Sequence, residues 1–196
     1  MTLVRRGRAI GVSGFLLGGA IGIISSTQTW LTVHRADSDV DILVPGASAL
    51  PLLAPLSLAV LALGAALSIT GPVLRLVFGA LAAIGAVFLG WSTLQVLLAA
   101  PVSAVGPTVT EVTGLAGGQA LDDLIDAIVP TAWPGLALGG WVILLVAALV
   151  VLLTGRAWKR GGRRYRTDAA AHAPAGGPVD AVDSWDDLSR GTDPTR

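Results

Sequence analysis

The sequence predicts an all-α integral membrane protein: a four-transmembrane-helix bundle with a small extracytoplasmic β-sheet and a disordered cytoplasmic tail. Three observations carry this expectation. Apart from Arg75, no Lys, Arg, Asp or Glu occurs between Asp41 and Glu111, and a second uncharged run extends from Ala127 to Gly155. With the N-terminal apolar stretch from Ala9, these runs supply four segments able to cross a hydrocarbon core about 30 Å thick. The hydrophobic fraction is 53% but aromatics are only 5%, so the apolar mass is Leu, Ala, Val and Ile, as in lipid-facing helices. Finally, the net charge of zero hides a segregation of its parts. Arg5, Arg6 and Arg8 precede the first span, Arg75 sits between the second and third, and Arg156, Lys159, Arg160, Arg163, Arg164 and Arg166 follow the fourth. The other two connections hold Arg35 against Asp37, Asp39, Asp41, Glu111, Asp122, Asp123 and Asp126. By the positive-inside rule, both termini are expected in the cytoplasm of a multi-pass plasma-membrane protein.

Residues 1–8 are the expected cytoplasmic N-terminus, and residues 9–154 the membrane domain. The first span, about 9–26, carries Gly14, Gly18 and Gly22 at four-residue intervals, which lays bare backbone along one helix face. That face suits either packing inside the bundle or homo-oligomerisation. Arginines before an apolar run also resemble a signal peptide, but Ile23 to Gln28 contains no Ala-x-Ala-like cleavage site, so the span is expected to be retained. In the first outer loop, about 27–48, Trp30 to Arg35 and Val40 to Val44 are β-prone runs separated by a polar turn, and read as a hairpin. The second span, about 49–69, starts near Pro51 and Pro55. Thr70-Gly71-Pro72 then turns the chain into the third span, about 73–98, so the two are expected to be antiparallel neighbours.

The second outer loop, about 99–134, contains Thr108 to Val112, whose alternation suggests a third strand. Gly118 to Val129 places Leu121, Leu124, Ile125 and Ile128 at helical spacing, and reads as a short amphipathic helix with Asp122, Asp123 and Asp126 on its polar face. The fourth span, about 135–154, lies between Trp133 and Trp158, at the interfacial positions indoles prefer. Residues 155–196 form a basic and then disordered tail, too rich in Ala, Gly, Pro and Asp to bury a core.

The chemistry-bearing residues are sparse. There is no cysteine, which excludes disulfides, thiolate metal sites and cysteine nucleophiles. The three aspartates lack the partner ligands and shaped loop a metal needs, and no ionisable residue sits mid-span, where ion-coupled carriers usually need one. No catalytic triad, phosphate-binding loop or nucleic-acid signal is present, so an enzyme, a cofactor and a nucleic-acid partner are not expected. Two constellations remain. Trp30, Arg35 and Glu111 form a candidate outer-loop site if the three strands pair and bring Arg35 to Glu111. In the tail, Trp185, Leu188 and Arg190 stand out of a polar context like a short linear motif that docks on a membrane or cytoplasmic protein.

The order of Trp-Leu-Thr-Val (Trp30 to Val33), Thr-Ala-Trp-Pro (Thr131 to Pro134), Gly-Arg-Arg-Tyr (Gly162 to Tyr165) and a terminal Trp-Asp-x-Leu-x-Arg-Gly-x-Asp-Pro-Thr (Trp185 to Thr195) resembles the actinobacterial tryptophan-biosynthesis-associated membrane protein family. The resemblance covers nearly the whole chain and implies a process and a topology, not a mechanism. Four spans with a β-rich first outer loop are also similar in arrangement to claudins, by analogy of fold only. The expected function is a non-enzymatic accessory or scaffold subunit of a membrane assembly. The alternatives are a small transporter or exporter component for an aromatic amino acid or related metabolite, and a membrane sensor with an extracytoplasmic ligand-binding sheet.

Overall fold

A computed structural model describes residues 2–115 and 117–158. In chain order these form α1 (Thr2–Thr27), β1 (Thr29–Arg35), β2 (Ile42–Pro45), α2 (Gly46–Ala49), α3 (Leu53–Leu67), α4 (Pro72–Ala99), α5 (Val102–Thr113), α6 (Gly118–Leu124), β3 (Ile125–Pro130), α7 (Trp133–Thr154) and a 3-10 turn, Gly155–Ala157. The chain is mostly helical, with one three-stranded sheet. Trp185, Leu188 and Arg190 lie outside the described residues.

Among the described residues, three helices are long and apolar enough to cross a membrane: Arg6–Thr27, Pro72–Ala99 and Trp133–Thr154. The expected second span is shorter than its sequence suggested, since α3 has only 15 residues, about 22 Å of helix. Proline sets its start. Pro51 disfavours helical geometry at Leu50, which adopts φ −138°, so α2 ends at Ala49 and regular helix resumes only at Leu53, with Pro55 in its first turn. The next turn follows the expected chemistry, with Pro72 in the first position of α4, where its missing amide costs nothing.

Burial within the helices follows a repeat of alternating four and three residues. In α4 the buried side is Arg75, Gly79, Ala82, Ala86, Leu89, Thr93 and Val96, and in α3 it is Leu53, Ser57, Val60, Gly64 and Leu67. This is the 3.5-residue seam of left-handed coiled-coil packing, in which each helix meets a neighbour along a narrow stripe. In α7, Pro134, Ala137, Trp141, Leu144, Ala148 and Val151 keep the same rhythm, and Gly140 and Ala147 widen the buried face. The wider face is needed because α7 packs on both α1 and α4, while α1 packs on both α7 and α3. Although one short turn joins α3 to α4, they meet only lightly, and the α4 seam faces α7 instead. The remainder of α4 exposes Val73, Val77, Leu81, Ile84, Val87, Trp91 and Leu98. Such a continuous apolar exterior is stable in lipid and not in water.

The glycines of α1 make its two contacts possible. A Cβ on Gly14 would collide with the Cβ of Ala147, and one on Gly18 would lie 2.9 Å from Leu144 Cβ and 3.1 Å from the Gly140 carbonyl oxygen. On the other side, a Cβ on Gly19 would lie 2.7 Å from Leu61, and one on Gly22 would overlap the Ser57 hydroxyl and come within 2.5 Å of Trp141. These glycines therefore meet α7 and α3 within the bundle. One buried polar contact joins the α4–α7 seam: Trp141 Nε1 donates to Thr93 Oγ1 at 3.2 Å.

The sheet has the order β2-β1-β3, both pairings antiparallel. The expected hairpin is present, with Thr32 opposite Leu43 and Val33 opposite Ile42. Its third strand comes from elsewhere. Residues 108–112 belong to α5, and β3 is formed by Ile125–Pro130, the second half of the segment expected to be an amphipathic helix. Both corrections have the same cause. Alternation in Thr108 to Val112 is overridden by burial of Ala104, Val105, Thr108 and Val109 at helical spacing, whereas Ile125, Ile128 and Val129 are β-branched and find an open ladder on β1. Asp126 thereby leaves the helical face it was expected to share with Asp122 and Asp123.

Gly18→Leu is expected to destabilise the purified protein by about 1–3 kcal/mol, the usual cost of overpacking, because neither Leu144 nor the Gly140 backbone can withdraw. An unchanged thermal midpoint in detergent would mean that α1 does not approach α7 this closely. Thr93→Val, which removes only the indole's acceptor, is expected to cost about 1 kcal/mol by the same measurement.

Candidate functional site

The sheet end of the bundle is organised around Trp30. A register shift between Thr29 and Leu31 in the β1–β2 pairing breaks the alternation of side chains, so that Trp30 and Leu31 are both fully buried. The Trp30 indole turns back to the end of α1, where Nε1 donates to both the carbonyl oxygen and the hydroxyl of Ser25, each at 2.9 Å. Ser25 lies in the last turn of α1, where helix carbonyls lack intrahelical donors, so the indole serves as a cap. Gly46 is required beside it: its amide donates to the Gln28 carbonyl at 2.9 Å, and a Cβ there would stand 2.6 Å from Trp30 Nε1.

Thr131 closes the junction from a hundred residues away. Its amide donates to the Trp30 carbonyl at 2.8 Å, its hydroxyl donates to the Thr29 carbonyl at 2.6 Å, and the same oxygen accepts the Trp133 amide at 3.3 Å. One threonine thus continues the β1–β3 ladder and starts α7. Trp-Leu-Thr-Val and Thr-Ala-Trp-Pro, two separate motifs of the sequence, meet at this point.

The three residues of the expected outer-loop site take different places. Trp30 is interior. Arg35 forms a two-point contact with Asp37, Nε to Oδ1 at 2.9 Å and Nη2 to Oδ2 at 2.8 Å. Glu111 is exposed on α5, so the cross-strand pair expected between it and Arg35 has no third strand to stand on. The hydrogen bond from Arg35 holds the Asp37 carboxyl below its ordinary value, and the carboxylate in turn raises the guanidinium. The sign follows directly: any stability from this pair is present at neutral pH and lost as pH falls through the depressed Asp37 value. Because the pair is solvated, that loss is small.

The solvent-facing side of the sheet was not anticipated from sequence. Thr32 stands between Leu43 and Val129 on the neighbouring strands, and these two are 59% and 47% exposed. Beside them, His34 Nδ1 lies 2.6 Å from Asp41 Oδ1. Leu43 is the outward residue of β2, but Val129 falls in the segment expected to be helical, so the sequence does not place the two on one sheet face. Among the described residues, no group of three or more His, Asp or Glu is placed to hold a metal ion.

Thr131→Val is expected to destabilise the protein by about 1–2 kcal/mol, leaving the Thr29 carbonyl and the Trp133 amide without this partner, whereas Thr131→Ser should stay close to wild type. Thermal midpoints of the two variants in detergent test this, and an unchanged midpoint in Thr131→Val would show that the hydroxyl's two bonds contribute nothing to stability.

Comparison with curated proteins and with solved structures returned no match. The sequence model of one family matches residues 12–195, a stretch that holds every motif singled out above, from Trp30 to Thr195. With three membrane-length apolar helices and the Trp30–Thr131 junction in place, the chain belongs to the tryptophan-associated transmembrane protein family.

Proposed function

We propose that the protein is a non-enzymatic accessory or scaffold subunit of a plasma-membrane assembly linked to tryptophan biosynthesis. The observation that carries this reading is the packing of α1. Its glycines admit α3 and α7 to backbone contact along most of the span, which gives a rigid bundle suited to presenting surfaces. An exporter component, the first alternative, would instead need a polar route between the helices. In this reading α3 is a fourth, short span. It packs along α1, and Leu50 to Leu52 and Ser68 to Ile69 lengthen its apolar course. Both termini are cytoplasmic and the sheet is extracytoplasmic, as the distribution of arginines and aspartates favours. The tail motif of Trp185, Leu188 and Arg190 supplies the cytoplasmic contact.

A second reading, a sensor, is favoured by the exposed Leu43 and Val129 on either side of Thr32, beside His34 and Asp41, on the expected outer face.

Two experiments test these proposals. A single cysteine at Ser38 is expected to react with a membrane-impermeant thiol reagent on intact cells, and one at Ser189 is not. Labelling at Ser189 would reverse the topology. Affinity purification in mild detergent is expected to recover a defined partner from wild type and not from Trp185→Ala/Leu188→Ala, at equal expression. Recovery of the same partner by both would remove the tail from the scaffold mechanism.

A further inference from the structure

The end of the bundle opposite the sheet carries a feature that neither the family nor the proposed scaffold role assigns. There the start of α1 meets the end of α3. Arg8, Ala9 and Val12 of α1 and Ser68, which caps α3, line an open groove of about 400 Å³. Its wall is mostly apolar, and its one charged lining residue is Arg8, whose guanidinium donates through Nη2 to the Ser68 carbonyl. That contact uses one of the five guanidinium donors and places the fork at the mouth of the groove. Ile10 and Ile69 are exposed close by in sequence, so the groove opens where the helix surface is apolar.

The charge around the groove is of one sign. Gly7, between Arg6 and Arg8, packs so closely that a Cβ would lie 2.7 Å from the Thr154 hydroxyl and 3.0 Å from Trp158 Nε1. The Trp158 ring in turn carries the Arg75 guanidinium 5.2 Å from its centroid, and Arg156 is two residues away. Arg6, Arg8, Arg75 and Arg156 therefore gather at one level of the bundle. Among the described residues, every acidic side chain belongs to the connections at the sheet end.

An apolar groove between α1 and α3, the latter a short span on the reading proposed above, with a guanidinium fork at its mouth and a positive field around it, complements one chemical class: a phosphate anion covalently joined to an apolar chain. We propose that this groove is a binding site for an anionic phospholipid, with Arg8 donating to the phosphate and Ala9 and Val12 packing against the upper acyl chain. A zwitterionic lipid presents the same phosphate with a cation beside it, which the surrounding arginines repel. Free phosphate offers nothing to the groove. The site is fixed by fold, since Ser68 reaches Arg8 only when α3 lies along α1, and this distinguishes it from the general attraction of juxtamembrane arginines to a charged bilayer.

The test uses the full-length protein, delipidated in a neutral detergent and titrated with phosphatidylglycerol, phosphatidylcholine or inorganic phosphate, with lipid adducts read by native mass spectrometry and stability by thermal midpoint. Phosphatidylglycerol is expected to bind and to raise the midpoint, and the other two are not. Arg8→Gln is expected to weaken phosphatidylglycerol about tenfold, and Val12→Phe, which fills the groove but keeps every charge, to weaken it comparably. Arg156→Gln, which removes a charge at the same level outside the groove, should leave affinity within about twofold. Should Arg8→Gln fail to fold, Val12→Phe carries the test alone. Equal losses in Arg8→Gln and Arg156→Gln would reduce the effect to diffuse electrostatics, and wild-type affinity in Val12→Phe would empty the groove of its role. Equal binding of phosphatidylcholine, or a midpoint raised as far by inorganic phosphate, would also overturn the proposal.

Discussion

The rest of this structure depends on α1 having almost no side chain where it meets its neighbours. Gly14 and Gly18 admit α7, and Gly19 and Gly22 admit α3, so one helix forms two close interfaces on different sides. In lipid, where burial of apolar surface between helices gains little over contact with acyl chains, proximity itself is the source of stabilisation: dispersion contacts fall off steeply with separation. A single branched residue on either stripe would separate α1 from a partner over several turns. The other interface of α7, with α4, follows the ordinary heptad seam and includes the Trp141–Thr93 hydrogen bond, where an indole donor in a dry environment finds its acceptor.

From that frame the sheet end inherits its geometry. α1 ends at Thr27 and β1 begins two residues later, so the direction of the sheet is set by how the helix is terminated. Trp30 terminates it by bonding Ser25, Gly46 leaves room for the indole, and Thr131 binds the strand to the entry of α7. The segments around Trp30, Gly46 and Thr131 are thereby fastened at the end of one helix. The three-stranded sheet gains a second layer from α5 and α6, whose Val105, Val109, Leu121 and Leu124 are buried. The two ends of the molecule then differ in kind. One is an ordered acidic surface with an exposed apolar row, and the other is a cluster of arginines in which Arg8 reaches the end of α3 and Arg75 stacks on Trp158.

Much of this was legible in residue order. Charge spacing marks the apolar segments because a charged side chain in hydrocarbon is costly wherever the helix packs, and the requirement acts on each residue separately. The hairpin was legible too, since Trp30 to Arg35 and Ile42 to Val44 carry their own turn between them. Family membership rested on short motifs whose order survives without any knowledge of contacts. Trp30, Arg35 and Glu111 show the limit. As a set they required Glu111 to lie on a strand, and α5 removed it.

Sequence by itself thus determined what each segment must be surrounded by: lipid for the spans, water for the aspartate-rich connections, and a neighbouring backbone for the glycine stripe of α1. Tertiary structure alone decided which neighbour that is. Ala147, Leu144 and Ser57 face the glycines only because α1 lies between α7 and α3, an arrangement that no local spacing encodes. The third strand was decided in the same way. Ile125 to Pro130 satisfies a helical period as well as an extended one, and the ladder offered by β1 made the extended form lower in free energy. Local pattern sets the preferences of a segment one residue at a time, while hydrogen-bond partners and close contacts belong to pairs of segments and exist only once the chain has brought them together.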